Sequence, residues 1–153
     1  MRAMLILICG LPGAGKTTLA KKLAQERSAI RFCPDEWMED LDITLFDKKV
    51  RASLEERFWK LSQELLGHGQ SVILEYGFWG HSEREEKRLA ARELGIAVEL
   101  HYLAVPLDEL RRRLDGRGME GDDTIKDQLE QFAKMLQAPD EAELKLYDNH
   151  AGY

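Results

Sequence analysis

Met4-Leu-Ile-Leu-Ile-Cys9 runs directly into Gly10-Leu-Pro-Gly-Ala-Gly15-Lys16-Thr17, and the reading of these fourteen residues decides the fold. A continuous apolar run ended by glycine is the pattern of a strand buried on both faces. The stretch after it matches GxxxxGK[ST] at every fixed position. It also precedes Leu19, Ala20, Leu23 and Ala24, which share one stripe at helical spacing. Strand, glycine loop and helix in that order make an anion site, because glycine lets the backbone curl until successive N–H groups face one point and the helix adds its positive end. Gly10, Leu11, Pro12, Gly13, Ala14, Gly15, Lys16, Thr17 and Thr18 are therefore the candidate nucleotide-binding set. In it Lys16 pairs the β- and γ-phosphates and Thr17 gives its hydroxyl to Mg²⁺. The plain alternative is a glycine-rich turn that binds nothing.

Outward from this loop, apolar runs alternate with amphipathic stretches, as in βαβ units around a parallel sheet. Residues 29–33 read as a short second strand closed by Pro34. Val50, Leu54, Phe58, Leu61 and Leu65 step by helical intervals and predict a helix over 48–66, stopped by Gly67 and Gly69. Residues 71–75 give a third strand. Ser82 and Glu85 read as a capping box opening a helix that runs to about Leu94. Residues 97–105 give the fourth strand, and Pro106 starts a short helix through Leu107, Leu110 and Leu114. Residues 117–123, without periodicity and with two glycines, read as a mobile surface loop. Thr124 is expected to cap a helix whose stripe is Ile125, Leu129, Phe132 and Leu136. Pro139 ends it, and Asp140 with Glu143 opens a last helical turn. The tail after Tyr147 lacks the apolar run of a strand, so four strands are expected.

The chain has 153 residues, 22 Lys and Arg against 28 Asp and Glu, and a net charge of −6. Domains of roughly 100–150 residues are usual, so residues 1–153 read as one domain with no room for a second. An acidic chain is a poor match for a sequence-independent grip on nucleic acid or an anionic membrane, so neither partner is expected. No apolar run approaches the ~20 residues of a membrane span. Met1 leads into the glycine loop without a cleavage site, so a cytoplasmic location is expected. Cys9 and Cys33 form no CxxC pair and read as reduced, buried thiols. His68, His81, His101 and His150 show no metal-ligand spacing.

Four segments together resemble the small P-loop kinases: the glycine loop, Phe-Cys-Pro-Asp-Glu-Trp at 32–37, Val-Ile-Leu-Glu-Tyr-Gly-Phe-Trp at 72–79, and Leu-Arg-Arg-Arg-Leu-Asp-Gly-Arg at 110–117. That group includes chloramphenicol phosphotransferase, zeta toxins, gluconate kinase and polynucleotide 5′-hydroxyl kinases. The resemblance implies an α/β, three-layer P-loop NTPase fold with a parallel sheet of about four strands in order 2-3-1-4. It also implies ATP and Mg²⁺ as cofactors and a lid at about 111–123. The chain departs from the group where strand three ends in Glu75 and an aspartate is more usual.

A kinase needs a group to accept the proton of the attacking hydroxyl. Asp35, just past strand two at the open edge of a parallel sheet, is the first candidate, and its place matches the family's base. A carboxylate that merely caps the following helix is the competing reading, and Glu36 is the neighbouring competitor for the role of base. Glu75 would end its strand beside the loop, and because an unpartnered buried charge is costly it would hold Mg²⁺ through water, meet the attacking group, or form a plain ion pair. Leu110 and Leu114 mark a core stripe with Arg113 and Arg117 along its edge and Arg112 roughly opposite. The first two match the family's lid arginines and are set against a merely solvated basic helix end. Trp37, Phe78 and Trp79 follow strand ends and could wall an acceptor pocket, while Trp59 beside Phe58 reads as packing.

The reading is an ATP-dependent phosphotransferase acting on a hydroxyl of a small molecule. A regulatory NTPase acting on a protein partner is the first alternative, but a GTPase would need a base-reading NKxD, which is missing. A polynucleotide kinase is the second, and the charge of −6 counts against it. Lys16→Ala is expected to abolish nucleotide turnover while the fold stays intact, measured as ATP affinity and turnover beside an unchanged circular dichroism spectrum.

Overall fold

The computed structural model describes residues 2–118 and 122–153. Strand β1 (Met4–Gly10) is the middle of a parallel sheet completed by β2 (Ile30–Phe32), β3 (Val72–Gly77), β4 (Ala97–Leu103) and β5 (Asn149–Gly152), in the order β2-β3-β1-β4-β5. It pairs with β3 through Leu5↔Val72, Ile6↔Ile73 and Leu7↔Leu74, and with β4 from Met4↔Ala97 to Gly10↔Leu103. A strand so placed turns neither face to water, which is why its sequence is a continuous apolar run.

Its side chains alternate between two layers. Leu5, Leu7 and Cys9 enter the first with Phe58, Leu66, Leu74, Val98 and Leu100, under helices α3 (Lys48–Gly67) and α4 (His81–Glu93) and the short α7 (Glu141–Leu144). Ile6 and Ile8 enter the second with Ala20, Leu23, Leu110, Leu114 and Leu129, under α1 (Lys16–Arg27), α5 (Leu107–Arg117) and α6 (Asp122–Met135). Helix α2 (Pro34–Asp40) follows β2 directly. Among the described residues no helix is long and apolar enough to cross a membrane.

The expected sheet order is present, but the expectation of four strands is corrected to five. Asn-His-Ala-Gly at 149–152 pairs in parallel with β4 through Glu99↔Asn149 to Tyr102↔Gly152, and Tyr153 continues the ladder by donating to the Tyr102 carbonyl at 3.0 Å. An edge strand is held by main-chain pairing and needs no apolar run. Here polar side chains add to it: Asn149 Nδ2 donates to Glu99 Oε1 at 2.6 Å, and the Tyr153 hydroxyl meets His101 Nδ1 at 3.0 Å. Glu99 itself is 1% exposed. Burial works against its charge, but hydrogen bonds from His101 and Arg27 hold its pKa below the usual carboxylate value.

Two caps also differ from expectation. Helix α4 begins at His81 with Gly80 as its N-cap and no side-chain cap, so Ser82 and Glu85 form no capping box. Glu85 instead accepts from Arg88, one turn along. Thr124 lies inside α6, not at its start. By contrast Asp140 caps α7, accepting from the Glu143 amide at 2.8 Å. Asn149→Ala should cost about 1.5–3 kcal/mol, the range for a hydrogen bond to a charged group, seen in urea as a lower midpoint with an unchanged slope.

Candidate active site

The glycine loop leaves β1 where the sheet's carboxyl ends open. Gly13 and Gly15 have φ of +84° and +95°, the left-handed region that glycine enters without steric cost. At Gly13 a side chain is excluded twice, since an added Cβ would also lie 3.3 Å from Leu114 Cγ of α5. The loop is closed by the Ala14 amide donating to the Leu11 carbonyl at 3.1 Å. Lys16 reaches back over it, its Nζ donating to the same carbonyl at 2.9 Å. Burial lowers the lysine's pKa, opposed by the negative charge of Asp35 and Glu75.

Glu75 reaches the loop from β3, the strand beside β1. Its carboxylate accepts from the Thr17 hydroxyl and, at 2.7 Å, from Arg31 Nη1. Arg31 also donates to Glu36 at 2.9 Å. The buried charge is thus both ion-paired and joined to the threonine that the motif assigns to a metal. Cys33, Glu36 and Glu75 place ligand atoms within 4.8 Å of one another, but the Arg31 guanidinium already pairs with both carboxylates, and burial keeps the Cys33 thiol protonated, which does not suit a cation held by these three. Burial pushes the Cys33 thiol up to about 12 and the Cys9 thiol up to about 11. Both thiols stay protonated near neutral pH, which removes nucleophilic thiol chemistry from consideration.

Asp35 lies in the first turn of α2. The N-cap of that helix is Cys33, with no side-chain cap, and the Asp35 carboxylate pairs with Arg51 of α3. Sequence reasoning missed Arg51, since nothing in the pattern links residues sixteen apart on two helices. It also missed Glu55, one turn further along α3. Burial raises its pKa to about 7, with Arg51 opposing, so the charge at this end of the site changes near neutrality.

Of the four arginines of α5, Arg112 and Arg113 separate as the helical spacing predicts. Arg112 is 73% exposed and pairs with Glu109. Arg113 turns to the loop, its Nη1 donating to the Ala14 carbonyl at 3.2 Å, while its Nε donates to Glu109 at 3.0 Å. Arg117 closes α5, followed by Gly118 in the left-handed region. The loop expected at 117–123 is shorter among the described residues, since Arg117 belongs to α5 and Asp122 and Asp123 to α6; residues 119–121 of that loop and of the 111–123 lid lie outside the described residues.

The aromatic wall needs correction. Phe78 is 2% exposed, within the core, with its ring stacked on Tyr76 at 5.2 Å, so it cannot line an open pocket. Trp37 is 44% exposed and sits edge-on to Phe58 at 5.1 Å. Trp79 packs on Phe132 at 5.0 Å, and its Nε1 donates to the Gly10 carbonyl at 3.0 Å. Trp59 packs against the first core layer, with Lys87 Nζ 5.0 Å over its ring. An apolar cavity of about 250 Å³ lies between Leu11 of the loop, the end of β4 from Tyr102 to Pro106, and Leu136.

A central parallel strand that ends in GxxxxGKT, beside a carboxylate-tipped strand and an arginine-bearing helix, defines a P-loop protein. A family model described as an AAA domain matches residues 5–141, and the chain belongs to that family. It is similar to a guanylate kinase of Rubrobacter xylanophilus, 28% identical over 175 residues that cover 97% of this chain and 87% of the relative. In fold it is similar to the APS kinase of Mycobacterium tuberculosis, determined with AMPPNP and APS, at a TM-score of 0.68 and 19% identity over 99% of this chain and 88% of that one. A gluconokinase of Sinorhizobium meliloti gives a TM-score of 0.60 and 19% identity over 99% of this chain and 83% of that one. The solved kinases thus share the fold of this chain.

Because Arg113 touches the loop and Arg112 faces solvent, Arg113→Ala should lower kcat about 10²-fold, the usual loss of one donor to a developing oxyanion, while Arg112→Ala stays near wild type in the same ATP turnover assay.

Proposed function

We propose that the protein is an ATP-dependent phosphotransferase that moves the γ-phosphate to a hydroxyl of a small molecule. The observation that carries the reading is the meeting of three elements at one sheet edge: the loop with Lys16, the Thr17–Glu75 contact, and Asp35 held by Arg51. In this reading the loop amides and Lys16 hold the phosphates. The donor set fits Mg²⁺, with the Thr17 hydroxyl as ligand and Glu75 reaching it through water. When bound, the ion draws charge from the β- and γ-phosphates.

Asp35 accepts the proton as the acceptor oxygen forms its bond to the γ-phosphorus and the bond to the bridging oxygen of ADP breaks. The competing role of helix cap is disfavoured, since Cys33 is the N-cap of α2 and no side chain caps it. Arg113 and Arg117 stabilise charge on the phosphoryl group in transfer. Trp37 offers an exposed ring to the acceptor.

The guanylate kinase relative raises a phosphate-bearing acceptor as a second reading. A phosphate acceptor calls for cations at the acceptor end, and the two arginines there, Arg31 and Arg51, are both paired with carboxylates. That favours the hydroxyl. The test is ADP release with Mg²⁺ and ATP across a panel of hydroxylated metabolites and antibiotics, with GMP in a separate arm. Stimulation by GMP alone would overturn the hydroxyl acceptor.

With an acceptor in hand, Asp35→Asn should leave ATP affinity nearly unchanged and reduce transfer by about 10²–10⁴-fold, the usual contribution of a general base. Full turnover in that variant would move the role of base to Glu75.

A further inference from the structure

We propose that Trp79 and Arg84 are positioning residues for the phosphate-binding loop: a turn after β3, locked by a buried arginine, pins the first carbonyl of the loop and joins it to helix α6. The inference rests on the nucleotide-binding reading of residues 10–18.

The turn is unusual from its start. The β1–β3 register shifts after Leu7, so that Cys9 lies opposite Gly77. Gly77 then has a φ of +91°, and Phe78, a buried aromatic residue, one of +47°. A bulky side chain rarely enters that region unless its surroundings impose it. The result is that the Trp79 indole folds back over Gly77, where an added Cβ would stand 3.1 Å from Nε1, and its N–H donates to the Gly10 carbonyl at 3.0 Å. A peptide unit is planar, with its C=O and N–H opposed. Holding the Gly10 oxygen therefore fixes the plane in which the chain leaves β1 and begins the loop.

Arg84 imposes the turn. It is 0% exposed, and an arginine buried without partners would be costly. Its Nε and Nη2 donate to the two Glu143 oxygens at 2.7 and 2.9 Å. Nη1 donates to the Phe78 carbonyl at 2.7 Å and to that of Trp79 at 3.4 Å. Nη2 also donates to the Gln137 carbonyl at 2.6 Å. A guanidinium has five N–H groups, and these contacts engage all of them, so Arg84 has none to offer a phosphate. Glu143 alone would neutralise the charge. The three carbonyls are the informative partners, because two belong to the turn and one to the segment just after α6. That segment returns the contact, with the Gln137 amide donating to the Trp79 carbonyl at 2.8 Å and its side chain accepting from the His81 amide at 2.7 Å. Trp79 thus touches the loop at Gly10 and α6 at Phe132, with Arg84 holding the turn that carries Trp79 to the segment after α6.

The test uses the full chain grown with 5-fluorotryptophan and titrated with MgADP. Trp79→Phe keeps a ring against Phe132 and removes the N–H donor together with part of the indole's volume. It should weaken MgADP about 3- to 10-fold, the range for one lost neutral hydrogen bond, while Trp59→Phe matches wild type. The Trp79 fluorine resonance, assigned by its absence from Trp79→Phe, should move on adding MgADP to wild type. In Arg84→Lys, which keeps a charge for Glu143 but lacks the fork, it should not move. Should Arg84→Lys fail to fold, Trp79→Phe and the wild-type resonance still decide between the outcomes. The proposal is overturned if Trp79→Phe binds MgADP as wild type does, or if the wild-type resonance stays still at saturation. A wild-type chain that binds no MgADP overturns the nucleotide reading and the proposal with it, which is a different result from a wild type that binds and a variant that equals it.

Discussion

Burial of β1 on all sides is the constraint from which the rest of the molecule follows. Flanked by β3 and β4 and covered by helices on both faces, the strand can end only at the sheet's open edge. The chain there must turn sharply into α1, and the turn must satisfy its own backbone groups. A glycine loop does so by pointing carbonyls inward, to the Ala14 amide, Lys16, Arg113 and Trp79, and amides toward an anion. Phosphate binding is in this sense the other half of how the central strand is closed.

The neighbouring elements deal with the same edge through charge pairs. Arg31 with Glu75 and Glu36, Arg51 with Asp35, and Arg84 with Glu143 each join parts of the chain that are distant in sequence or belong to different elements. The buried pairs, Arg31 with Glu75 and Arg84 with Glu143, contribute little net stability, but losing one partner is strongly destabilising; Arg51 with Asp35 is more exposed. Their effect here is geometric: each fixes where one carboxylate or one carbonyl stands relative to the loop. The first two lie between β2, β3 and the helices α2 and α3, and the third behind the loop. Arg113 approaches the loop from the α5 side.

Much of this was legible in sequence, for physical reasons that differ by element. The strands β1, β3 and β4 announce themselves because a strand buried on both faces must be apolar throughout, and the loop because its glycines are demanded by φ. The separation of Arg112 from Arg113 followed from helical spacing alone. What was not legible depends on contacts between distant residues. Strand β5 has no apolar signal because its pairing is made by main chain and by Asn149 and Tyr153. Arg51 and Arg84 look like surface arginines until the fold brings Asp35 and Glu143 to them. Phe78 and Trp79 read as equivalent aromatics, and only the left-handed turn sends the first into the core and the second to the loop.

The two cysteines carry a consequence of another kind. Cys9 is fully buried on the central strand and Cys33 nearly so at the end of β2, and burial keeps both thiols protonated. An alkylating reagent therefore meets no reactive sulfur on the folded surface. For Cys9 to react, the layer that covers that face of the sheet, with Phe78 and Arg84 against the sulfur, has to lift away. Labelling of that one sulfur would thus be a clock for the opening of this layer, built into the strand that carries the glycine loop.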